Sequence, residues 1–182
     1  MRLFISLDFN NKIKDYLKEV QYIVKTCAQK GNYTKYDNFH LTLRFLGEVS
    51  ENEVTKICDI LDIVQKKVKR FTINIGDIKS FYRKDKHIVY VDIIKNKTKL
   101  YNLAKTLNTF VDEVIPIKQK YKFKPHITIA REVVFKKTSS LTQINDFDED
   151  ILVKSISLIK SSRDKYRGLI YTPIYTINLC NK

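Results

Sequence analysis

Apolar positions along the chain follow two repeats, and the changes from one to the other predict its elements. Arg2 to Leu7 is a nearly continuous apolar run and predicts a strand. Ile13, Tyr16, Leu17, Val20, Val24 and Cys27 then recur three and four residues apart, as on one face of a helix. Ser50 with Glu53 three residues later is a capping box, and Val54, Ile57, Leu61 and Val64 give the helix it opens an apolar face. Phe71 to Ile78 and His87 to Ile94 predict strands, Leu100 to Val114 a third helix, and Ile151 to Ile159 and Ile170 to Leu179 two late strands. The mixture lacks regular βαβ alternation. It therefore predicts an α+β fold with antiparallel pairing rather than a doubly wound parallel sheet.

Two short predicted strands carry more than a core pattern. FHLTLRFLG, at 39 to 47, and KPHITIAR, at 124 to 131, each place a histidine two residues before a threonine, with apolar residues at +1 and +3. With three histidines and thirteen threonines in the chain, such a pair would arise by chance in about one or two chains per hundred. The matched apolar positions make the coincidence harder. Strand alternation turns Leu41, Leu43 and Phe45 inward and leaves His40, Thr42 and Arg44 on the opposite face. It likewise turns Ile127 and Ile129 inward and His126 and Thr128 outward, with Pro125 suited to a strand start. His87 has no threonine at +2 and reads as a structural or surface residue.

Two such strands suit chemistry at phosphorus. In-line displacement puts attacking and leaving oxygens on opposite sides, so one proton acceptor and one donor are wanted across the phosphate. Histidine fills either role near neutrality. The threonine hydroxyls can hydrogen-bond the non-bridging oxygens as charge develops there. No Asp, Glu or Cys stands at ligand spacing from either histidine, and neither a metal nor another cofactor is expected. Asp146, Asp148, Glu149 and Asp150 could attract a cation but read as a solvated loop.

Composition narrows the setting. The 182 residues suit one domain, 1 to 182, because three prolines and four glycines leave no material for a linker. The apolar run after Arg2 is too short for a secretory h-region, and no stretch is apolar for long enough to span a membrane. Cys27, Cys58 and Cys180 share no C-x-x-C spacing and read as buried or free thiols in a reducing compartment, so a cytoplasmic protein is expected; a monomer is the default expectation. The formal charge of +14 favours a polyanionic partner, RNA above all, although lysines spread over a solvated surface account for charge alone equally well. Position favours RNA: Lys118, Lys120, Lys122 and Lys124 interleave with Tyr121 and Phe123 before the second motif, and Tyr33, Lys35 and Tyr36 precede the first.

MRLFISLDF, NFHLTLRFLGEV, FKPHITIAR and SLIKSSRDKYRGLIYTPI together resemble the 2H phosphoesterase superfamily, and within it the bacterial and archaeal RNA 2′,3′-cyclic phosphodiesterases, also called 2′-5′ RNA ligases. The resemblance runs over nearly the whole chain. It implies a bilobal fold of two antiparallel sheets with helices packed outside, related by a pseudo-twofold axis through a central basic cleft. It also implies metal-independent opening of a terminal 2′,3′-cyclic phosphate on RNA, tRNA fragments included, to a 2′-phosphomonoester. His40 would then protonate the leaving 3′ oxygen, His126 would activate water, Thr42 and Thr128 would hold the phosphate, and Arg131 would contact it. By parity Arg131 faces away from His126 unless the strand ends or bulges near Ala130, which leaves Arg44 as the alternative phosphate contact. Two other functions stay open: 2′-5′ RNA ligation at the same site, and a basic RNA-binding module with inactive histidines.

Overall fold

The computed structural model describes residues 1–115, 122–137, 147 and 149–181. Among these residues nine strands and three helices follow in the order β1 (Arg2–Asp8), α1 (Asn11–Cys27), β2 (Ala28–Tyr33), β3 (His40–Glu48), α2 (Glu51–Lys67), β4 (Phe71–Arg83), β5 (Lys86–Lys95), α3 (Lys97–Val114), β6 (His126–Phe135), β7 (Ile151–Val153), β8 (Ser155–Asp164) and β9 (Gly168–Asn178). A 3-10 turn at Tyr36–Asn38 delivers the chain to β3. The strands form a four-stranded sheet, β3-β1-β8-β9, and a five-stranded sheet, β2-β6-β5-β4-β7. Their pairings are antiparallel. The fold is thus α+β and bilobal, as the sequence pattern and the resemblance imply.

Local chemistry fixes the helix starts. Asn10 accepts from the Ile13 amide, and Ser50 and Glu53 complete the capping box read from the sequence. Each helix buries its apolar stripe, Ile13, Leu17, Val20 and Val24 in α1 and Leu100, Leu103, Leu107 and Val111 in α3, in one continuous cluster that takes side chains from both sheets.

Two expectations need correction. The predicted strand Ile151 to Ile159 is two strands: β7 pairs with β4 in one sheet, β8 with β1 in the other, and Lys154 lies between them. Strand β2 has no counterpart in the apolar pattern because AQKGNY is an edge segment, held to β6 by backbone hydrogen bonds.

The two motif strands occupy equivalent places. In β1–α1–β3 the register sets His40 opposite Asp8, Leu41 opposite Leu7 and Thr42 opposite Ser6. In β5–α3–β6 it sets His126 opposite Asp92, Ile127 opposite Val91 and Thr128 opposite Tyr90. The linking helices cross over: α1 packs on β6 and α3 on β3, while β3 and β6 pack against each other. Gln21 of α1 donates to the carbonyls of Ile129 and Thr34, and Arg44 of β3 binds Asn108 and Asp112 of α3. Each half therefore buttresses the motif strand of the other.

Candidate active site

Both histidines are held in the same way. His40 Nδ1 lies 2.7 Å from the Asn38 carbonyl and His126 Nδ1 2.6 Å from the Lys124 carbonyl, in each case two residues upstream. A carbonyl only accepts, so Nδ1 carries the hydrogen and Nε2 of the neutral ring holds a free lone pair. His40 Nε2 lies 2.9 Å from Thr42 Oγ1, whose hydroxyl donates to it. Each ring is set among aromatic neighbours: Phe4 and Tyr171 have centroids 5.0 and 5.2 Å from His40, and Phe81 and Tyr90 lie 5.5 and 5.3 Å from His126.

These walls determine the electrostatics. Burial pushes His40 down to about 4, against the opposing pull of the Asn38 carbonyl, and the charges of Arg131 and His126 depress it further. Burial likewise lowers His126, helped by Arg131 and Lys124 and opposed by Asp92. Both shifts favour the neutral ring in the free protein. Asp92 is 3% exposed; burial disfavours its charge, but hydrogen bonds from Lys79 at 2.6 Å and Lys97 at 3.1 Å outweigh that and hold its carboxyl below the usual range. An anion sits on that side of the cleft with two lysines to balance it.

The arginines exchange the places that simple alternation gives them. Strand β3 slips register between Ile5 and Ser6, so Leu43 and Arg44 are both buried and Phe45 is turned out, 58% exposed. Arg44 does not share a face with His40 and Thr42: it is 2% exposed and bound to Asp112 at 2.5 Å. Arg44 is therefore no candidate for a phosphate contact, and Phe45 is no core residue. Strand β6 slips at the equivalent point, Ile129 and Ala130 are both buried, and Arg131 emerges on the face of His126 and Thr128. This is the bulge near Ala130 that the parity reading required. Arg131 Nη2 reaches Thr128 Oγ1 at 3.4 Å, and its charge acts on both histidines.

Phe45 and Arg131 thus stand at matched positions, each five residues beyond its histidine and each just past a bulge. Phe45 was read from the sequence as a core residue; the common offset is the signal that could have found it. Tyr171 and Phe4 carried no such signal, because their approach to His40 depends on the β1–β8–β9 pairing. His87 lies outside the site, bonded to Ser80 and flanked by Tyr82 and Phe135. Of the expected basic run, Lys124 lies over Phe81 and donates to the Tyr90 hydroxyl, while Lys118 and Lys120 fall outside the described residues.

A cavity of about 150 Å³ opens beside His40, lined by Phe4, Ser6, Asp8, Asn38 and Tyr171. A larger one, about 270 Å³, lies where β1 leads into α1 and has neither histidine in its wall. Its carboxylates Glu149 and Asp150 are paired with Lys12 and Lys95, which accounts for the described part of the acidic cluster. Among the described residues no group of three His, Cys, Asp or Glu side chains is placed to hold a metal ion. Among the described residues no helix is long and apolar enough to cross a membrane.

Comparison with known proteins gives a consistent picture. Residues 7–90 match the family model described as LigT like phosphoesterase. A Thermotoga maritima protein named RNA 2′,3′-cyclic phosphodiesterase is 28% identical over 96% of this chain and 94% of its own. One of the same name from Aeropyrum pernix is 27% identical over 78% of this chain and 82% of its own. Among solved structures, a Thermus thermophilus protein superposes with a TM-score of 0.82 at 22% identity over 100% of both chains. E. coli LigT complexed with 3′-AMP superposes with a TM-score of 0.81 at 25% identity, over 98% of this chain and 97% of that one.

Proposed function

Because the chain belongs to the LigT-like phosphoesterases of the 2H superfamily, we propose that it hydrolyses a terminal 2′,3′-cyclic phosphate on RNA to a 2′-phosphomonoester, with His40 and His126 as the acid–base pair. The observation that carries this reading is the duplicated histidine setting. Two strands in matched register each fix a histidine by its Nδ1–H and turn its Nε2 away from the backbone, where it can transfer a proton.

The steps follow from charge. The cyclic phosphate enters as an anion, flanked by Thr42 and Thr128 and met by Arg131. Its negative charge favours the imidazolium, so His40, neutral in the free protein, takes up a proton as substrate binds. His126 Nε2 removes a proton from the attacking water, and its charged form is stabilised by Asp92 on the neighbouring strand. His40 delivers its proton to the departing 3′ oxygen. Growing charge on the non-bridging oxygens is met by the threonine hydroxyls and the Arg131 guanidinium. The exposed ring of Phe45 offers the terminal base a stacking face.

Incubation of an oligoribonucleotide 2′,3′-cyclic phosphate in EDTA, followed by identification of the product isomer, tests the proposal. Turnover is expected to persist, because the histidines supply both proton transfers, and to give a 2′-phosphate, because His40 protonates the departing 3′ oxygen. Loss of turnover in chelator that zinc or magnesium restores would overturn the mechanism. A 3′-phosphate would reverse the leaving group.

A further inference from the structure

The hairpin joining β8 to β9 projects beyond the His40 side of the cleft, and its composition differs from that of the strands behind it. The face of the four-stranded sheet that holds His40 continues through Phe4 and Ile159 to the Ser161–Tyr171 pair, and two residues further to Arg163 and Leu169. With no register slip between Ile159 and Asp164, alternation puts Arg163 on the cleft face, about 7 Å along the strand from Ser161. At the tip Asp164 accepts from the amides of Tyr166 and Arg167, and Gly168 closes the turn with a φ of 68°. This rigid turn holds Tyr166 in solvent at 89% exposure, with Lys165 Nζ 5.8 Å from its ring centroid. Asn38 donates to the Leu169 carbonyl and Lys35 approaches Gly168, which ties the hairpin to the segment that leads into His40. Among the described residues neither Arg163 nor Arg167 is paired with a carboxylate.

We infer that this hairpin binds the RNA chain immediately 5′ of the terminal nucleotide, Arg163 and Arg167 contacting backbone phosphates and Tyr166 stacking a base. The inference rests on the proposed reaction and extends it by assigning the upstream RNA strand to a surface outside the cradle that holds the cyclic phosphate. Direction comes from the chemistry. The attacking water lies on the His126 side and the leaving 3′ oxygen on the His40 side, so the ribose that bears this oxygen, and the strand attached to its 5′ carbon, leave the cleft past His40. The β8–β9 hairpin is the basic, aromatic element on that path. The β4–β5 hairpin, which carries Arg83, Lys84 and Lys86 and adjoins the strand of His126, lies on the water side. Cations that follow a backbone beside an exposed aromatic ring are the features by which proteins hold single strands.

The test compares two substrates on the full chain: adenosine 2′,3′-cyclic phosphate and a five- to ten-nucleotide RNA ending in the same group. Replacing Arg163 and Arg167 by Gln together with Tyr166→Ala should lower kcat/KM for the RNA roughly tenfold or more and leave the mononucleotide unchanged. The slope of log KM against log salt for the RNA should fall by about 1.4, about 0.7 for each of two phosphate contacts. Arg83→Gln with Lys84→Gln should change neither substrate. Equal loss on both substrates, no loss on the RNA, or an RNA-selective loss from the β4–β5 variant would each overturn the inference. Wild-type protein that turns over neither substrate would instead remove the phosphodiesterase reading on which it stands.

Discussion

A histidine on a strand becomes an acid or a base through the atoms around it. At His40 and His126 these are a backbone carbonyl on Nδ1 and aromatic neighbours that partly bury the ring. His40→Ala and His126→Ala should each lower turnover by about a hundredfold or more, whereas His87→Ala should not, as single-turnover rates on a cyclic-phosphate RNA would show. The pH dependence follows from the direction of the shifts. Both rings titrate below the ordinary 6.5 in the free protein, so the singly protonated pair is populated below that pH and declines above it. A profile of kcat/KM should therefore be bell-shaped, with its alkaline limb beginning below pH 6.5. Substrate binding at pH 7 should also take up a proton, which appears as a dependence of calorimetric binding heat on the ionisation enthalpy of the buffer. At this scale the sequence was informative, because a side chain two residues from its histidine on a strand shares its face.

The element scale is where simple alternation failed. Period two holds from His40 to Leu43 and from His126 to Ile129, and then a bulge in each strand exchanges the faces. No residue type announces either slip, for Leu-Arg and Ala-Arg fit an uninterrupted strand as well. The split between β7 and β8 was legible in principle: the buried residues change from Ile151 and Val153 to Ile156 and Leu158, a change of parity across Lys154. The consequences for the two arginines differ in kind. Arg44→Ala removes a buried cation and leaves Asp112, which is half exposed, so the loss should be about 2–4 kcal/mol of stability by urea unfolding. Arg131→Lys leaves stability unchanged, but should lower kcat on a mononucleotide substrate, because an ammonium cannot make the paired contact of a guanidinium. Phe45→Ala should raise KM about tenfold, with little effect on kcat, if the ring stacks on the base alone.

For the whole molecule, the crossed helices, the passage of the chain from one sheet to the other at Lys154 and the shared apolar cluster bind the lobes together. We expect one cooperative unfolding transition, with far-ultraviolet circular dichroism and tyrosine fluorescence coinciding across a urea titration. Separated lobe signals would show that residues 1–182 are two domains. This interdependence was invisible in the sequence, since helical periodicity specifies an apolar stripe but not the strand that covers it. The matched halves also create a problem of orientation. A cradle with true twofold symmetry would accept a cyclic phosphate in two poses related by a half turn, and in one of them the ribose would face the base rather than the acid. Phe45 and Arg131, different residues at equivalent positions, make the poses unequal: one end accepts a ring and the other an anion. Exchanging them, Phe45→Arg with Arg131→Phe, should restore the degeneracy or invert it, leaving bound substrate that turns over slowly.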